Sequence, residues 1–183
     1  LDVLDEGCNA SRLKSVVVSE CANYTAAKRG DLDKEAGQVA LIEDTLSRLE
    51  KKINVAGFAL WSFNDYATLR KKRYKRYSGI VDAWRIPKMS AAFLQAKYSN
   101  EPFISVFGDW RKKEGERKVE EAEDTRRIHV FTNCDKVTVY KNGTRLFSEN
   151  KGLHFVLNIN FEQGILHAVG IKNKMEASDR LIS

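Results

Sequence analysis

Two short apolar runs with an amphipathic stretch between them constrain this 183-residue chain more than any other feature. The first, Val16-Val17-Val18, ends on Ser19 and Glu20; the second, Val55 to Trp61, ends on Ser62-Phe63-Asn64-Asp65-Tyr66. Neither alternates apolar with polar residues. Each therefore reads as a strand buried on both faces, as in a parallel sheet. Between them, Val39, Ile42, Leu46, Leu49 and Ile53 recur at three- and four-residue spacing and predict a helix over 31–53. Asp31 or Asp33 suits its N-terminal cap and Lys51 and Lys52 its C-terminus, where the helix dipole favours those charges. Strand, helix and strand in that order make a βαβ unit with a parallel pair. Arg29-Gly30-Asp31 spells an adhesion tripeptide but reads as the turn that starts the helix.

Carboxyl ends of parallel strands are where α/β barrels hold their reacting groups. Glu20 is on that ground the first candidate for a catalytic carboxylate; the alternative is a strand-end glutamate facing solvent. Beyond the second run, Pro87 suits the first turn of a helix, and Met89 to Tyr98, with Ala92, Phe93 and Ala96 on one side, predicts a short helix packed on a barrel wall. The pattern changes near Asn100-Glu101-Pro102, which places a domain boundary near residue 100. No helical stripe of useful length follows. Strand candidates are 103–107, 127–132, 136–140, 153–158 and 166–171, with Arg111 to Arg126 a charged loop or hairpin tip. Lys141-Asn142-Gly143-Thr144 fits a two-residue hairpin turn, because both central residues accept positive φ. Short strands at regular spacing suggest an immunoglobulin-like sandwich. The fold class is thus α/β followed by all-β.

Composition narrows the chemistry. With 43% hydrophobic and 31% charged residues the chain is globular, and no apolar run approaches the ~20 residues a membrane helix needs. The acidic N-terminus lacks the basic region of a signal peptide, and the compartment is left open between cytoplasm and export. Cys8, Cys21 and Cys134 have no CxxC spacing and no histidine at ligand spacing, so no metal site is expected and they read as small buried hydrophobes. His129, His154 and His167 fall in strand-like segments and read as structural; no Gly-x-Ser-x-Gly elbow supports a serine triad. Much of the net charge of +6 sits in Arg70-Lys71-Lys72-Arg73-Tyr74-Lys75-Arg76-Tyr77. A single block of this kind, with no nucleic-acid fold around it, reads better as a solvated loop over the mouth of a site than as a nucleic-acid binder. Asn9-Ala-Ser11, Asn23-Tyr-Thr25 and Asn142-Gly-Thr144 match the glycosylation sequon, which carries no meaning in a bacterial protein.

The order Val-Val-Val-Ser-Glu20, Gly57-Phe-Ala-Leu-Trp61-Ser-Phe-Asn-Asp65-Tyr66, Gly79-Ile-Val-Asp82-Ala-Trp-Arg85-Ile-Pro87-Lys88 and Asn133 through Asn142-Gly143 resembles the C-terminal part of a family 2 glycoside hydrolase. The bacterial β-galactosidase-like branch fits best, through the Gly-x-x-Asp-x-x-Arg-x-Pro-Lys segment, with β-glucuronidases as relatives. The resemblance covers nearly the whole chain. It implies that residues 1–100 are the C-terminal part of a (β/α)8 TIM barrel, with 15–20 as the seventh strand, 55–61 as the eighth and 88–98 as the last helix. Residues 101–183 would be the sandwich that follows the barrel.

The resemblance also implies roles. Glu20 would be the nucleophile of a retaining mechanism, forming a covalent glycosyl-enzyme. Trp61 would form a floor for the sugar, with Asn23, Asn64 and Asp65 as further substrate-binding residues. The acid/base glutamate, which in the family follows an Asn at the end of the fourth strand, has no counterpart in Glu6, Glu35, Glu43 or Glu50. The chain by itself is accordingly expected to be a fragment, or a truncated gene product, without useful turnover. The expected ligand is a β-galactoside or related β-glycoside, with no cofactor, no membrane partner and nucleic acid disfavoured; a homo-oligomer stays open. A non-enzymatic carbohydrate- or protein-binding module is the alternative. The sequence departs from the family at Cys21, a position often aromatic, and at Ala22, one often glycine.

Overall fold

The two apolar runs pair as parallel neighbours. In this computed structural model, which describes residues 14–69, 74–112 and 124–183, β1 (Val16–Cys21) lies alongside β2 (Val55–Leu60), with Val17 opposite Gly57 and Cys21 opposite Leu60. The helix between them, α1 (Leu32–Leu49), buries Val39, Ile42, Leu46 and Leu49 along the expected stripe. Leu49 and Cys21 form a cluster with Val16, Val18, Val55, Phe58 and Leu60, which seats the helix on one face of the pair. Of the two candidate caps, Asp31 is used: its carboxylate accepts from the Lys34 N–H at 3.2 Å.

Two details of this strand–helix–strand unit differ from the sequence reading. The helix stops at Leu49 rather than Ile53, because a turn closed by Lys52 N–H to Leu49 C=O delivers the chain to β2 and leaves Ile53 fully exposed. Val17 is 68% exposed, so β1 is not buried on both faces. Among the described residues β1 pairs only with β2.

Two short strands follow, β3 (Tyr66–Ala67) and β4 (Lys75–Arg76), paired antiparallel. The second helix, α2 (Met89–Tyr98), has the expected bounds and buries Ala92, Phe93 and Ala96. Pro87 lies before it, bridging to Val81, rather than in its first turn. The chain divides into two compact units between Ala91 and Ala92, within α2.

The second unit is a β-sandwich. One sheet has the order β11-β10-β7-β8, formed by Met175–Ile182, Ile165–Lys172, Lys136–Lys141 and Thr144–Asn150. The other has the order β5-β6-β9, formed by Ile104–Phe107, Thr125–Thr132 and His154–Asn160. Ile104, Val106, Ile128 and Val130 face Val137, Val139, Leu166 and Ala168 across one core. Fully burying each large aliphatic among them contributes about 1.5–3 kcal/mol. Asp179 on β11 ties the sheets at one edge: its carboxylate accepts from the Val106 N–H at 2.8 Å and the Ser105 hydroxyl at 3.2 Å. Asn142 (φ +49) and Gly143 (φ +83) form the expected hairpin turn between β7 and β8. Strands β8 and β11 lacked a separate signal in the sequence because both are largely exposed and polar, without a buried apolar run. The charged segment 111–126 enters β6 at Thr125, and its residues 113–123, like Cys8, lie outside the described residues.

The histidines of β6 and β9 are structural. His129 Nδ1 and His154 Nε2 are 3.0 Å apart, and His154 stacks on Phe131 with centroids at 4.2 Å. Burial, and secondarily the charge of a protonated His129, hold the His154 pKa down at about 4, below its ordinary 6.5. The unfolded chain therefore takes up a proton between pH 6.5 and 4 that the folded chain refuses, and stability is lost as pH falls through that window. The expected loss for the sandwich is about 2 kcal/mol once partial solvent access is discounted. Urea unfolding at pH 7 and pH 4, followed by NMR signals of β6 and β9, measures it, and His154→Phe should flatten the dependence. An unchanged pH slope in that variant would exclude His154 as its source.

Candidate active site

Parallel pairing places the carboxyl ends of β1 and β2 side by side, and the Trp61 N–H donates to the Cys21 carbonyl at 2.8 Å just beyond Glu20. Glu20, Asn23 and Thr25 from the first strand end, and Trp61, Tyr66 and Thr68 from the second, line one pocket of about 390 Å³ together with Arg76. The opening is polar, with a single aromatic wall. Trp61 is 37% exposed; its indole N–H donates to the Tyr66 hydroxyl at 3.0 Å, and the two rings meet edge to face. That contact orients the indole and leaves the Tyr66 hydroxyl proton available as a donor. Asn23 accepts from the Ser78 hydroxyl at 3.2 Å, which fixes its amide and keeps its NH₂ for other partners. The Trp61–Ser62 peptide is cis.

Ala22 has φ +55, a left-handed conformation that costs a residue with Cβ about 1–2 kcal/mol. This is the position where the family often has glycine, so the residue departs from the pattern while the backbone bend is retained.

The expected site residues separate into two groups. Glu20, Asn23 and Trp61 come together at the pocket. Asn64 and Asp65 are not among its lining residues. Asp65 is buried, and its carboxylate accepts from Lys88 Nζ at 2.7 Å and from the Gly79 N–H at 2.9 Å. The side chain of Asn64 donates to the Asp65 carbonyl at 2.7 Å. Both therefore hold the loop after β2 in place. Sequence spacing could not separate them from pocket residues, since all lie in one polar cluster.

The Gly79–Lys88 segment is the bracket behind this pocket. A Cβ on Gly79 would lie 2.3 Å from the backbone of Asn64 and Asp65, so only glycine fits. Asp82 accepts from the Trp84 and Ile86 N–H groups at 2.9 Å and pairs with Arg29 at 2.8 Å. Burial pushes its carboxyl up, but those hydrogen bonds and the Arg29 charge outweigh it and hold the pKa below the usual value. Lys88, with no exposed surface, also donates to the Ala27 carbonyl at 2.7 Å and so connects the loop after β1 to the loop after β2. From α1, Gln38 donates to the Ser78 and Gly79 carbonyls, and Glu35 accepts from the Gly30 and Met89 N–H groups. Burial is the main reason the Glu35 pKa is raised; the two N–H donors and the Lys88 and Arg29 charges oppose it.

Thr25, Tyr66, Thr68 and Arg76 escaped the sequence reading as individual site residues. Arg76 had a signal in the basic and tyrosine-rich block after the second run, of which residues 70–73 lie outside those described, and Tyr66 in the polar cluster that ends that run; Thr25 and Thr68 had none. Asn100-Glu101 repeats the Asn-Glu pair expected of an acid/base, but Glu101 follows α2 rather than a strand and is exposed in the second unit. No group of three or more histidine, cysteine, aspartate or glutamate side chains suited to a metal occurs among the described residues.

Comparison with known proteins supplies the remaining ground. Residues 123–177 match the family described as a domain of unknown function, DUF4982. A β-glucuronidase of Formosa agariphila is 30% identical over 130 residues, which is 68% of this chain and 12% of the relative. The chain thus spans about an eighth of that protein's length. Among solved structures, Bacteroides uniformis β-glucuronidase 2, covalently bound to cyclophellitol-6-carboxylate aziridine, superposes with a TM-score of 0.74 at 19% identity, covering 97% of this chain and 23% of that one. A glycosyl hydrolase family 2 member from Bacteroides cellulosilyticus gives 0.65 at 14% identity, covering 98% and 24%. A parallel strand pair followed by a sandwich, matched along almost the whole chain in these proteins, agrees with the motif order in the sequence: the chain belongs to glycoside hydrolase family 2 and corresponds to the C-terminal part of such an enzyme.

Proposed function

We propose that this chain carries the nucleophile half of a retaining β-glycosidase site, with Glu20 as the nucleophile. On this reading β1 and β2 are the seventh and eighth strands of a (β/α)8 barrel, α2 is its last helix, and an immunoglobulin-like sandwich occupies residues 101–183. The observation that carries the proposal is the meeting of Glu20 and Trp61, from the carboxyl ends of adjacent parallel strands, in one pocket. A carboxylate there attacks the anomeric carbon: the Glu20 oxygen bonds to C1 as the bond to the leaving oxygen breaks. Trp61 offers an apolar face for the sugar ring, and Asn23 a hydrogen-bonding edge. Asn64 and Asp65 contribute by shaping the loop beneath.

The acid that protonates the leaving group is not supplied by the described residues of this pocket, since among them Glu20 is the only carboxylate lining it. Turnover of ordinary β-glycosides by the 183-residue polypeptide is expected to be lower by much of the ~10²–10⁴-fold that acid catalysis contributes. The relatives' names shift the glycone from the β-galactoside suggested by the Gly79–Lys88 segment toward a β-glucuronide.

A glycoside that needs no acid tests the nucleophile directly. A 2,4-dinitrophenyl 2-deoxy-2-fluoro-β-glycoside releases dinitrophenolate without protonation, and the fluorine slows loss of the covalent product. Intact-mass spectrometry and peptide mapping should find one glycosyl adduct on Glu20, and none in Glu20→Gln. An adduct on another carboxylate, or no adduct with either galactosyl or glucuronyl probes, would overturn the assignment.

A further inference from the structure

We propose that the outer face of the sandwich carries a non-catalytic sugar site, a trough centred on Tyr140, His167 and Glu176 that takes a neutral oligosaccharide chain. The inference goes beyond the reaction proposed above and does not depend on Glu20.

Strand alternation builds the trough. Val137, Val139, Leu166 and Ala168 point into the core, so Tyr140, His167 and Val169 lie on the opposite face of the same sheet. Tyr140 on β7 stands directly opposite His167 on β10, and their rings are 6.5 Å apart and tilted by 35°. With Ile165, Val169 and Glu176 they line a concavity of about 530 Å³. Glu176 lies opposite Ile171, so the trough follows β10 from Ile165 to Ile171, about 20 Å at ~3.3 Å per residue. That length exceeds one sugar ring and suits a chain of several.

One end is rigid. The Asn142 carboxamide accepts from the Ile165 N–H at 2.8 Å and donates to the Gln163 carbonyl at 3.1 Å, which fixes the β7–β8 turn against the start of β10. The polar groups along the trough are instead uncommitted. Among the described residues the Tyr140 hydroxyl, the His167 ring nitrogens and the Glu176 carboxylate have no hydrogen-bond or ion-pair partner. Tyr140 and His167 are half-buried, and Glu176 is exposed at the edge.

That combination matches a sugar chain. The C–H faces of pyranose rings pack on the Tyr140 ring and on Ile165 and Val169. Sugar hydroxyls both donate and accept, as phenol, imidazole and carboxylate together require. Glu176 only accepts, and no lysine or arginine shares the lining, so neutral hydroxyls satisfy it whereas a carboxylated sugar would be repelled. Arg145 and Arg180 stand opposite Tyr140 and His167 but outside the lining, which makes an anionic chain the competing ligand. A protein partner fits less well, because interface centres are depleted of charge and Glu176 would be covered there unpaired.

The test titrates the 183-residue chain with cellohexaose, mannohexaose, hexagalacturonate and cellobiose. NMR amide signals of His167 and Val169 report on the trough, and the Trp61 indole signal reports separately on the first unit. The expected result is that a neutral hexasaccharide shifts the β10 signals and binds roughly tenfold more tightly than cellobiose or hexagalacturonate. Tyr140→Ala should weaken it roughly tenfold, and Tyr140→Phe, which keeps the ring, roughly threefold or less. Glu176→Gln, at an exposed position that does not endanger folding, should weaken the neutral chain and narrow its lead over hexagalacturonate. No β10 shift with either neutral hexasaccharide, shifts confined to Trp61, hexagalacturonate binding as tightly or more so, or full binding by both Tyr140→Ala and Glu176→Gln would overturn the proposal. So would β10 signals that move with protein concentration alone, since the face would then be a contact between copies.

Discussion

Replacing Lys88 by methionine is expected to destabilise the first unit by about 3–5 kcal/mol, the cost of leaving a buried carboxylate without its cation. The geometry gives the reason. Lys88 has no exposed surface, and its ammonium is 2.7 Å from both the Asp65 carboxylate and the Ala27 carbonyl. Methionine fills a similar volume, so the packing loss is small and the electrostatic loss dominates. The double variant Lys88→Met, Asp65→Asn should recover more than half of the lost stability, because no uncompensated charge remains and the amide oxygen still accepts from Gly79. Hydrogen exchange of α1, β1 and β2 amides under native conditions reads the first unit without requiring the whole chain to unfold as one. A single variant as stable as the parent would refute the structural role assigned to the pair. The same variant should loosen the pocket, since Asp65 anchors Gly79 and adjoins Tyr66.

Trp110→Ala is the second large effect expected, about 3–5 kcal/mol in the sandwich. Trp110 is 1% exposed and belongs to the core between the two sheets. Its ring meets Phe161 edge to face at 5.2 Å, and the Arg126 guanidinium lies over the other ring. Truncation removes that contact and leaves a cavity whose walls are strands, which relax little. The indole N–H has no acceptor among the described residues, so Trp110→Phe removes an unmatched donor while keeping an aromatic ring. That variant should cost roughly half as much or less. Urea unfolding followed by circular dichroism compares the three proteins. Equal losses in the Ala and Phe variants would show that the indole's larger ring, rather than the aromatic packing a phenylalanine keeps, sets the stability of this position.

These two residues illustrate how differently the sequence spoke about each unit. Periodicity and run length located β1, α1, β2, α2 and five of the sandwich strands because burial against a sheet or helix imposes a spacing. Turn chemistry located the Asn142-Gly143 hairpin because only a few residues accept positive φ at two successive positions. Val17 and Ile53 went the other way: hydrophobicity marks them as interior, yet both are exposed, since a side chain's burial depends on what lies across from it and not on its own character.

The candidate site was legible at Glu20 and Trp61, which terminate the two strands, and at Asn23, near the first of them. It was not legible at Tyr66, Thr68 and Arg76, which reach the pocket through a two-residue strand pair with no periodic signal. Asp65 and Lys88 show the reverse. Both sit in motifs that carried the family resemblance, and the resemblance made Asp65 a sugar contact; the coordinates give it to a buried ion pair instead.

The sequence by itself determined the order of elements, the parallel pair, the sandwich and the position of a carboxylate at the end of the first strand, the one proposed above as nucleophile. Those properties follow from local spacing and from where apolar runs stop. Only the tertiary structure decided which polar side chains face the pocket and which brace it from behind. Residues far apart in the chain become partners, Asp65 with Lys88 through an ion pair and Tyr66 with Arg76 through strand pairing, and those partnerships are set by distances that no linear pattern encodes.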